Sequence, residues 1–263
     1  MASERRYRTA LVLGGGGMFG AYQAGVWAEM AGWFRPDVVV GASIGAVNGW
    51  AVAAGGDPEE WVGQWLDFRE AAVSRFRFPR SPVSGCVDRE AFEGFMERHW
   101  ARFRPRIPVG VVLTDALRLK PFVVETPGVT WRHLAASCAV PLILPQYRLE
   151  GRWCADGGLL AALPMWAAIE MGVEVAVGVN ILPRGGAAWL RAARGLLHAA
   201  SGWTAGEDGA VRQVVIEHEK ALGALAETTR WRRESAERWV ELGRRDARRA
   251  RGAVEAALGG EYQ

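Results

Sequence analysis

The feature that most constrains this chain is a pair of short apolar runs, each ending in glycine and opening into a helical stretch. Thr9-Ala10-Leu11-Val12-Leu13 runs into Gly14-Gly15-Gly16-Gly17, and Val38-Val39-Val40 into Gly41-Ala42-Ser43-Ile44-Gly45. Both runs are apolar at nearly every position, which suits strands covered on both faces rather than one. Residues 21–33 and 44–54 follow as helices, the second closed by Gly55-Gly56-Asp57-Pro58. Strand–helix–strand–helix alternation folds into a parallel sheet sandwiched by helices. The expected fold is therefore α/β: a three-layer α/β/α domain with a largely parallel central sheet.

Downstream, Pro58 opens a helix over residues 59–70, at a first turn where proline costs no hydrogen bond. Residues 71–106 mix Phe76, Phe78, Phe92, Phe95, Trp100 and Phe103 with arginines and prolines, and read as an irregular, partly helical insertion. Strand character returns at 110–113 and 121–124, a short helix at 133–139, a hairpin over 146–155 turning at Glu150-Gly151, a helix at 164–171 and a buried strand at 173–180. After Arg184-Gly185-Gly186 the pattern becomes helical, 189–200 and 207–258, with no strand candidate. Residues 1–185 are read as the catalytic domain, and 186–263 as a helical carboxy-terminal region packed on it or facing a membrane.

A net charge of +3 gives no reason to expect nucleic acid as a partner. Cys86, Cys138 and Cys154 are odd in number and lack metal-ligand spacing, so they read as reduced thiols of a cytoplasmic protein. Neither a metal nor another cofactor is expected. The polar amino terminus lacks the apolar stretch of a signal peptide, and no run approaches the ~20 apolar residues that span a bilayer.

Gly15-Gly16-Gly17-Met18-Phe19-Gly20 fits the G-x-G-x-x-G pattern of a dinucleotide-binding turn. Such a site wants an acid about twenty positions on, at the end of the second strand. Val40-Gly41-Ala42-Ser43 occupies that place, and Asp37 sits at the wrong end of the strand. The same geometry, backbone N–H groups at a helix start, also suits an oxyanion hole.

Gly41-Ala42-Ser43-Ile44-Gly45 has the G-x-S-x-G form of a nucleophile elbow, in which a sharp strand-to-helix turn holds a serine hydroxyl clear of the backbone. The bland alternative is a glycine-rich helix start with a capping serine. A nucleophilic serine needs a base. None of the four histidines, His99, His133, His198 and His218, has a motif around it. Asp156 is the better candidate, because Gly157 and Gly158 leave its carboxylate unobstructed, although D-G-G by itself is commonly only a turn.

As a set, these pieces resemble the patatin-like phospholipase family. The glycine loop continues as Ala21-Tyr22-Gln23-Ala24-Gly25-Val26, the elbow as Ala46-Val47-Asn48, and Ala135-Ala136-Ser137-Cys138-Ala139-Val140-Pro141 and Leu163-Pro164 also fit. The resemblance runs over about residues 9–180. It implies a Ser43–Asp156 dyad without a histidine, and an oxyanion hole of main-chain N–H groups from Gly15, Gly16 and Gly17. Gly20, Gly41, Gly45, Gly157 and Gly158 would support the elbow and loops. The implied substrates are phospholipids, lysophospholipids or other acyl-ester lipids. Rival readings on the same nucleophile are an acyltransferase or thioesterase; a rival of another class is a non-catalytic lipid- or nucleotide-binding module. Two departures stand out: Phe19 replaces the family's usual basic residue, and Leu159-Leu160-Ala161-Ala162 replaces a stretch that often carries asparagine.

Trp61, Trp65 and Phe68 share a helical face, which reads as core packing or, with the aromatic insertion, as a lid or interfacial rim. The arginine-rich tail, residues 230–251, carries Trp231, Trp239 and Leu242. It reads either as a basic helix making peripheral contact with an anionic membrane or as a solvated helix docked on the domain.

Overall fold

The computed structural model describes residues 6–68, 85–182, 188–206 and 209–259. Phe76 and Phe78 of the insertion and the Arg184-Gly185-Gly186 boundary lie outside the described residues. Among the described residues eight strands form one sheet, in the order β5-β6-β3-β2-β1-β7-β8, with β4 also paired to β3. The strands are β1 (Tyr7–Leu13), β2 (Val38–Ala42), β3 (Val109–Asp115), β4 (Lys120–Glu125), β5 (Tyr147–Leu149), β6 (Arg152–Ala155), β7 (Val173–Asn180) and β8 (Arg212–Glu217). The run β3-β2-β1-β7-β8 is parallel throughout, while β4 and β6 join β3 antiparallel and β5 joins β6 antiparallel.

The helices are α1 (Gly20–Met30), α2 (Ile44–Ala53), α3 (Pro58–Leu66), α4 (Arg89–Arg102), α5 (Trp131–Ser137), α6 (Met165–Glu170), α7 (Ala188–Ser201) and α8 (Arg233–Ala257). Alternate strand residues divide between two cores. Leu11, Leu13, Val39, Val111 and Val177 face the larger core, shared with α1–α5 and α8. Ala10, Val12, Val38, Val40 and Val112 face the smaller one under α6. Covering both faces explains why the central strands read as unbroken apolar runs. The three-layer α/β reading stands.

The carboxy-terminal stretch needs correction. It contributes β8, paired in parallel with β7 from Val175↔Arg212 to Asn180↔Glu217. As an edge strand it buries only Ile216, so its sequence lacks the apolar run of a central strand. α8 is docked against α1. Gly25 and Gly243 let the two backbones touch: a Cβ on Gly25 would sit 2.0 Å from the Val240 carbonyl oxygen, and one on Gly243 2.2 Å from that of Tyr22. Ala236, Trp239, Val240, Ala247 and Val254 are buried in this contact, so the apolar face a membrane would need is spent inside the protein. Arg233, Arg244 and Arg248 pair across the surface with Asp67, Glu59 and Glu29. Among the described residues, no helix is long and apolar enough to cross a membrane.

The described aromatics of the insertion pack against the core, Phe92 fully and Phe95, Trp100 and Phe103 in part. Phe92 is buried on α4, and Phe103 meets Trp61 edge-on at 5.5 Å between ring centroids. Phe68 packs between Trp65 and Phe95.

Beside them, His99 is buried and its Nε2–H donates to the Val47 carbonyl at 2.9 Å. Burial lowers its pKa to about 4, with the Val47 carbonyl opposing and the Arg102 charge adding. An unfolded histidine takes up its proton near pH 6.5. Between these values the unfolded state binds more protons, so stability falls as pH drops from about 6.5 to about 4, by roughly 3 kcal/mol in all. Urea denaturation at pH 7 and pH 4.5 should show this loss, and His99→Gln, which keeps an amide donor for Val47, should flatten it.

Candidate active site

The site is built at the carboxyl ends of β1, β2 and β3, where open α/β sheets place their ligands. Ser43 follows β2 directly and caps α2, with φ 55° and ψ −129°. A non-glycine residue at positive φ is uncommon and persists only where its surroundings hold it there. Here they do. Gly41 and Gly45 give the room, since a Cβ on Gly41 would meet the Gly45 carbonyl oxygen at 2.3 Å and one on Gly45 the Leu13 oxygen at 2.1 Å. The turn thus presses α2 against the end of β1, and Ser43 is left with 8% of its surface exposed at the positive end of the α2 dipole.

The glycine loop lies against it. A Cβ on Gly15 would sit 3.1 Å from the Ser43 Cβ, so loop and nucleophile candidate are in contact. Gly17 (φ 58°) backs onto the Thr228 carbonyl of the carboxy-terminal region, and Gly20 onto Ile44 and Trp65. A buried polar network fastens both ends of the loop. Gln23 Nε2 donates to the Gly14 carbonyl at 2.7 Å, and Asn48 Nδ2 donates to the Gly20 carbonyl at 3.0 Å and to Gln23 Oε1 at 2.8 Å. Trp65 Nε1 completes it by donating to Asn48 Oδ1 at 3.1 Å.

The Gly15 N–H needs correction as an oxyanion donor. It donates to the Ala162 carbonyl at 2.8 Å and is spent inside the protein. Gly16 and Gly17 stand at the start of the 3-10 turn Gly17–Phe19 that leads into α1, where the first N–H groups of a helix have no partner within it. Phe19 is buried and meets Trp239 of α8 edge-on at 4.9 Å. The position that departs from the expected cation is thus a core contact.

Asp156 comes to the site on β6, whose antiparallel pairing sets Ala155 opposite Thr114 of β3. Its turn is pinned on all sides. Asp156 N–H donates to the Ala139 carbonyl at 3.0 Å, Thr114 Oγ1 donates to the Asp156 carbonyl at 2.9 Å, and Gly158 N–H donates to Asp156 Oδ1 at 2.7 Å. Gly157 has no room for a side chain, because its Cβ would lie 2.0 Å from the Val112 oxygen. Gly158 faces the glycine loop, its would-be Cβ 3.8 Å from the Gly15 Cα.

Cys138, at the end of α5, is buried and interacts with both Ser43 and Asp156. A side-chain hydrogen bond links it to Ser43, and burial together with the Asp156 charge pushes its thiol pKa well above the ordinary value. It therefore stays a neutral thiol and does not rival Ser43 as a nucleophile. The histidines are engaged elsewhere. His133 Nδ1 accepts the Thr130 N–H, His198 Nε2 bonds the Leu160 carbonyl, and His218 Nδ1 bonds Asp246. Among the described residues, no group of three or more His, Cys, Asp or Glu is placed to hold a metal ion.

Residues the motif reading did not single out for a role are Ser137, Thr114, Gln23 and Asn48. Asn48 carries a legible signal, as the one strongly polar side chain in the apolar helix Ile-Gly-Ala-Val-Asn-Gly-Trp-Ala-Val-Ala.

A family model described as patatin-like phospholipase matches residues 11–169, more than half of the chain. Among curated relatives, patatin-like phospholipase domain-containing protein 7 of Rattus norvegicus is 27% identical over 187 residues, 65% of this chain and 13% of that protein. Lysophospholipase NTE1 of Mycosarcoma maydis is 27% identical over 184 residues, 65% of this chain and 9% of that one. An uncharacterised NTE family protein of Mycobacterium tuberculosis is 30% identical over 180 residues, 66% of this chain and 49% of that one. The chain thus matches only a fraction of each relative's length. Among solved structures, VipD of Legionella pneumophila superposes with a TM-score of 0.54 at 13% identity, covering 98% of this chain and 68% of that one, a likeness of fold. With the family model spanning the glycine loop, the elbow and the Asp156 turn in one match, the chain belongs to the patatin-like phospholipase family.

Proposed function

We propose that the protein is a serine lipid acyl hydrolase, of phospholipase A or lysophospholipase type, working through a Ser43–Asp156 dyad. The observation that carries this reading is the convergence of a serine held at φ 55° on a helix amino terminus, a glycine loop in contact with it and a pinned aspartate turn touching that loop. In the proposed reaction Ser43 Oγ attacks the ester carbonyl carbon and its proton passes to the Asp156 carboxylate. The tetrahedral oxyanion is held by the N–H groups of Gly16 and Gly17. Its collapse breaks the ester bond, and the departing alcohol takes the proton from Asp156. Water then attacks the acyl-serine, giving a proton to Asp156, which passes it to the departing Ser43 Oγ as the fatty acid leaves.

Proton transfer from a serine to an aspartate with a solution pKa of roughly 4 is uphill. Most of the rate enhancement must then come from fixed dipoles aimed at the developing charge. The Gln23–Asn48 network keeps those dipoles fixed. Exposed apolar side chains at Leu142 and Ile143, just beyond the segment that holds Asp156, suit an acyl chain. We further propose that residues 1–185 carry the chemistry, with β8 and α8 of residues 186–263 as support.

The test is covalent labelling with a fluorophosphonate, followed by peptide mass spectrometry, alongside release of fatty acid from lysophospholipid. A single adduct on Ser43, with chelators without effect on fatty-acid release, is the expected result. Labelling elsewhere, or no labelling in any lipid or detergent condition, would overturn the reading.

A further inference from the structure

We propose that Ser137 is the positioning residue that sets the nucleophile elbow against the aspartate turn; the proposal rests on the reading of Ser43 as nucleophile. Ser137 is the last residue of α5 and is fully buried. Its hydroxyl accepts the Ser43 N–H at 2.8 Å and donates to the Val112 carbonyl of β3 at 2.7 Å. Its own carbonyl accepts the Gly157 N–H at 3.0 Å, next to Asp156. One residue therefore holds the Ser43 N–H and the N–H of Gly157, the neighbour of Asp156, and ties both turns to β3.

Chemistry makes the hydroxyl specific. It must accept one bond and donate another along one line, which a hydroxyl does and a methyl cannot. Removing it leaves a buried N–H and a buried carbonyl without their partner, at the residue whose backbone is already in a strained region. The strained Ser43 backbone has a relaxed alternative once its N–H is released, and a shift of about 1 Å at a reacting atom costs on the order of 100-fold in rate. The bond also commits the Ser43 N–H, so it cannot serve as an oxyanion donor while Ser137 holds it. The loss should appear in the chemical step and not in substrate binding, because Ser137 is fully buried beneath the site.

The experiment compares wild type, Ser137→Ala, Ser137→Thr and Met30→Ala, in fluorophosphonate labelling rate and in kcat and KM on a p-nitrophenyl ester. Met30 is fully buried near the far end of α1 and serves as a control for general destabilisation. The expected result is a fall of at least tenfold in labelling rate and kcat for Ser137→Ala, with KM within about twofold, partial recovery in Ser137→Thr, and kcat kept in Met30→Ala even where its Tm falls as far. A Ser137→Ala enzyme within twofold of wild type, or a Met30→Ala enzyme equally slowed, would overturn the proposal. If Ser137→Ala does not fold, Ser137→Cys makes the same comparison, its thiol filling the site but accepting weakly, and parity of Cys with Ser would overturn it. A wild type that takes no label overturns both the nucleophile reading and the positioning role, whereas a labelled wild type with an unaffected Ser137→Ala overturns the latter alone.

Discussion

Turnover is expected to vanish in Ser43→Ala and to fall by about 10²–10⁴-fold in Asp156→Asn, the range typical of losing a positioned general base. The serine variant has no oxygen to acylate, so it should also lose fluorophosphonate labelling entirely. The asparagine variant keeps its shape. Asn Oδ1 still accepts the Gly158 N–H, and the bonds from Asp156 N–H to Ala139 and from Thr114 to the Asp156 carbonyl are main-chain or remote. Its thermal midpoint should therefore stay close to wild type while kcat falls, which separates chemistry from folding. Both rates are measured on a short p-nitrophenyl ester and on lysophospholipid. An asparagine variant within tenfold of wild type on both substrates would remove Asp156 as the base and leave the serine hydrolase without an assigned partner.

The second large effect is one of stability. Gly243→Val is expected to cost about 3 kcal/mol or more, because the added Cβ would lie 2.2 Å from the Tyr22 carbonyl oxygen and the helices must part. Parting α8 from α1 also draws Trp239 off Phe19 at the end of the glycine loop, so activity should fall with stability. Gly252 on the same helix provides the contrast. A Cβ there meets nothing within 4 Å, so Gly252→Ala should raise stability by about 0.5–1 kcal/mol through reduced unfolded-state freedom and better helix propensity. Urea denaturation of the two variants reads both signs in one series. Equal effects would mean that the close approach at Gly243 does not hold α8.

The elements legible in the sequence were those whose signal is local. The apolar runs of β1, β2 and β7, the helices beginning at Gly20 and Ile44, and the turn at Glu150-Gly151, both at positive φ, each follow from a few adjacent residues. β8 was not legible, because an edge strand needs few apolar residues and Arg-Gln-Val-Val-Ile-Glu lies amid charge. The docking of α8 stayed one of two open readings for a different reason. Trp239, Ala236 and Ala247 form a sparse stripe, since the contact is made in part by backbone meeting backbone at glycine, which hydropathy does not register.

The same division runs through the site. By itself the sequence determined the chemical groups: a serine between glycines after a strand, a glycine loop before a helix, and an aspartate followed by two glycines. These are local demands of covalent geometry, and short motifs carry them. Tertiary structure alone decided which groups are spent and which are held. It commits the Gly15 N–H to Ala162, turns Phe19 into the core, sets neutral Cys138 beside Ser43 and lets Ser137 hold the Ser43 and Gly157 N–H groups. The physical reason is that hydrogen-bond partners far apart in the chain meet only when β2 and β6 line up along the same edge of β3, opposite β4.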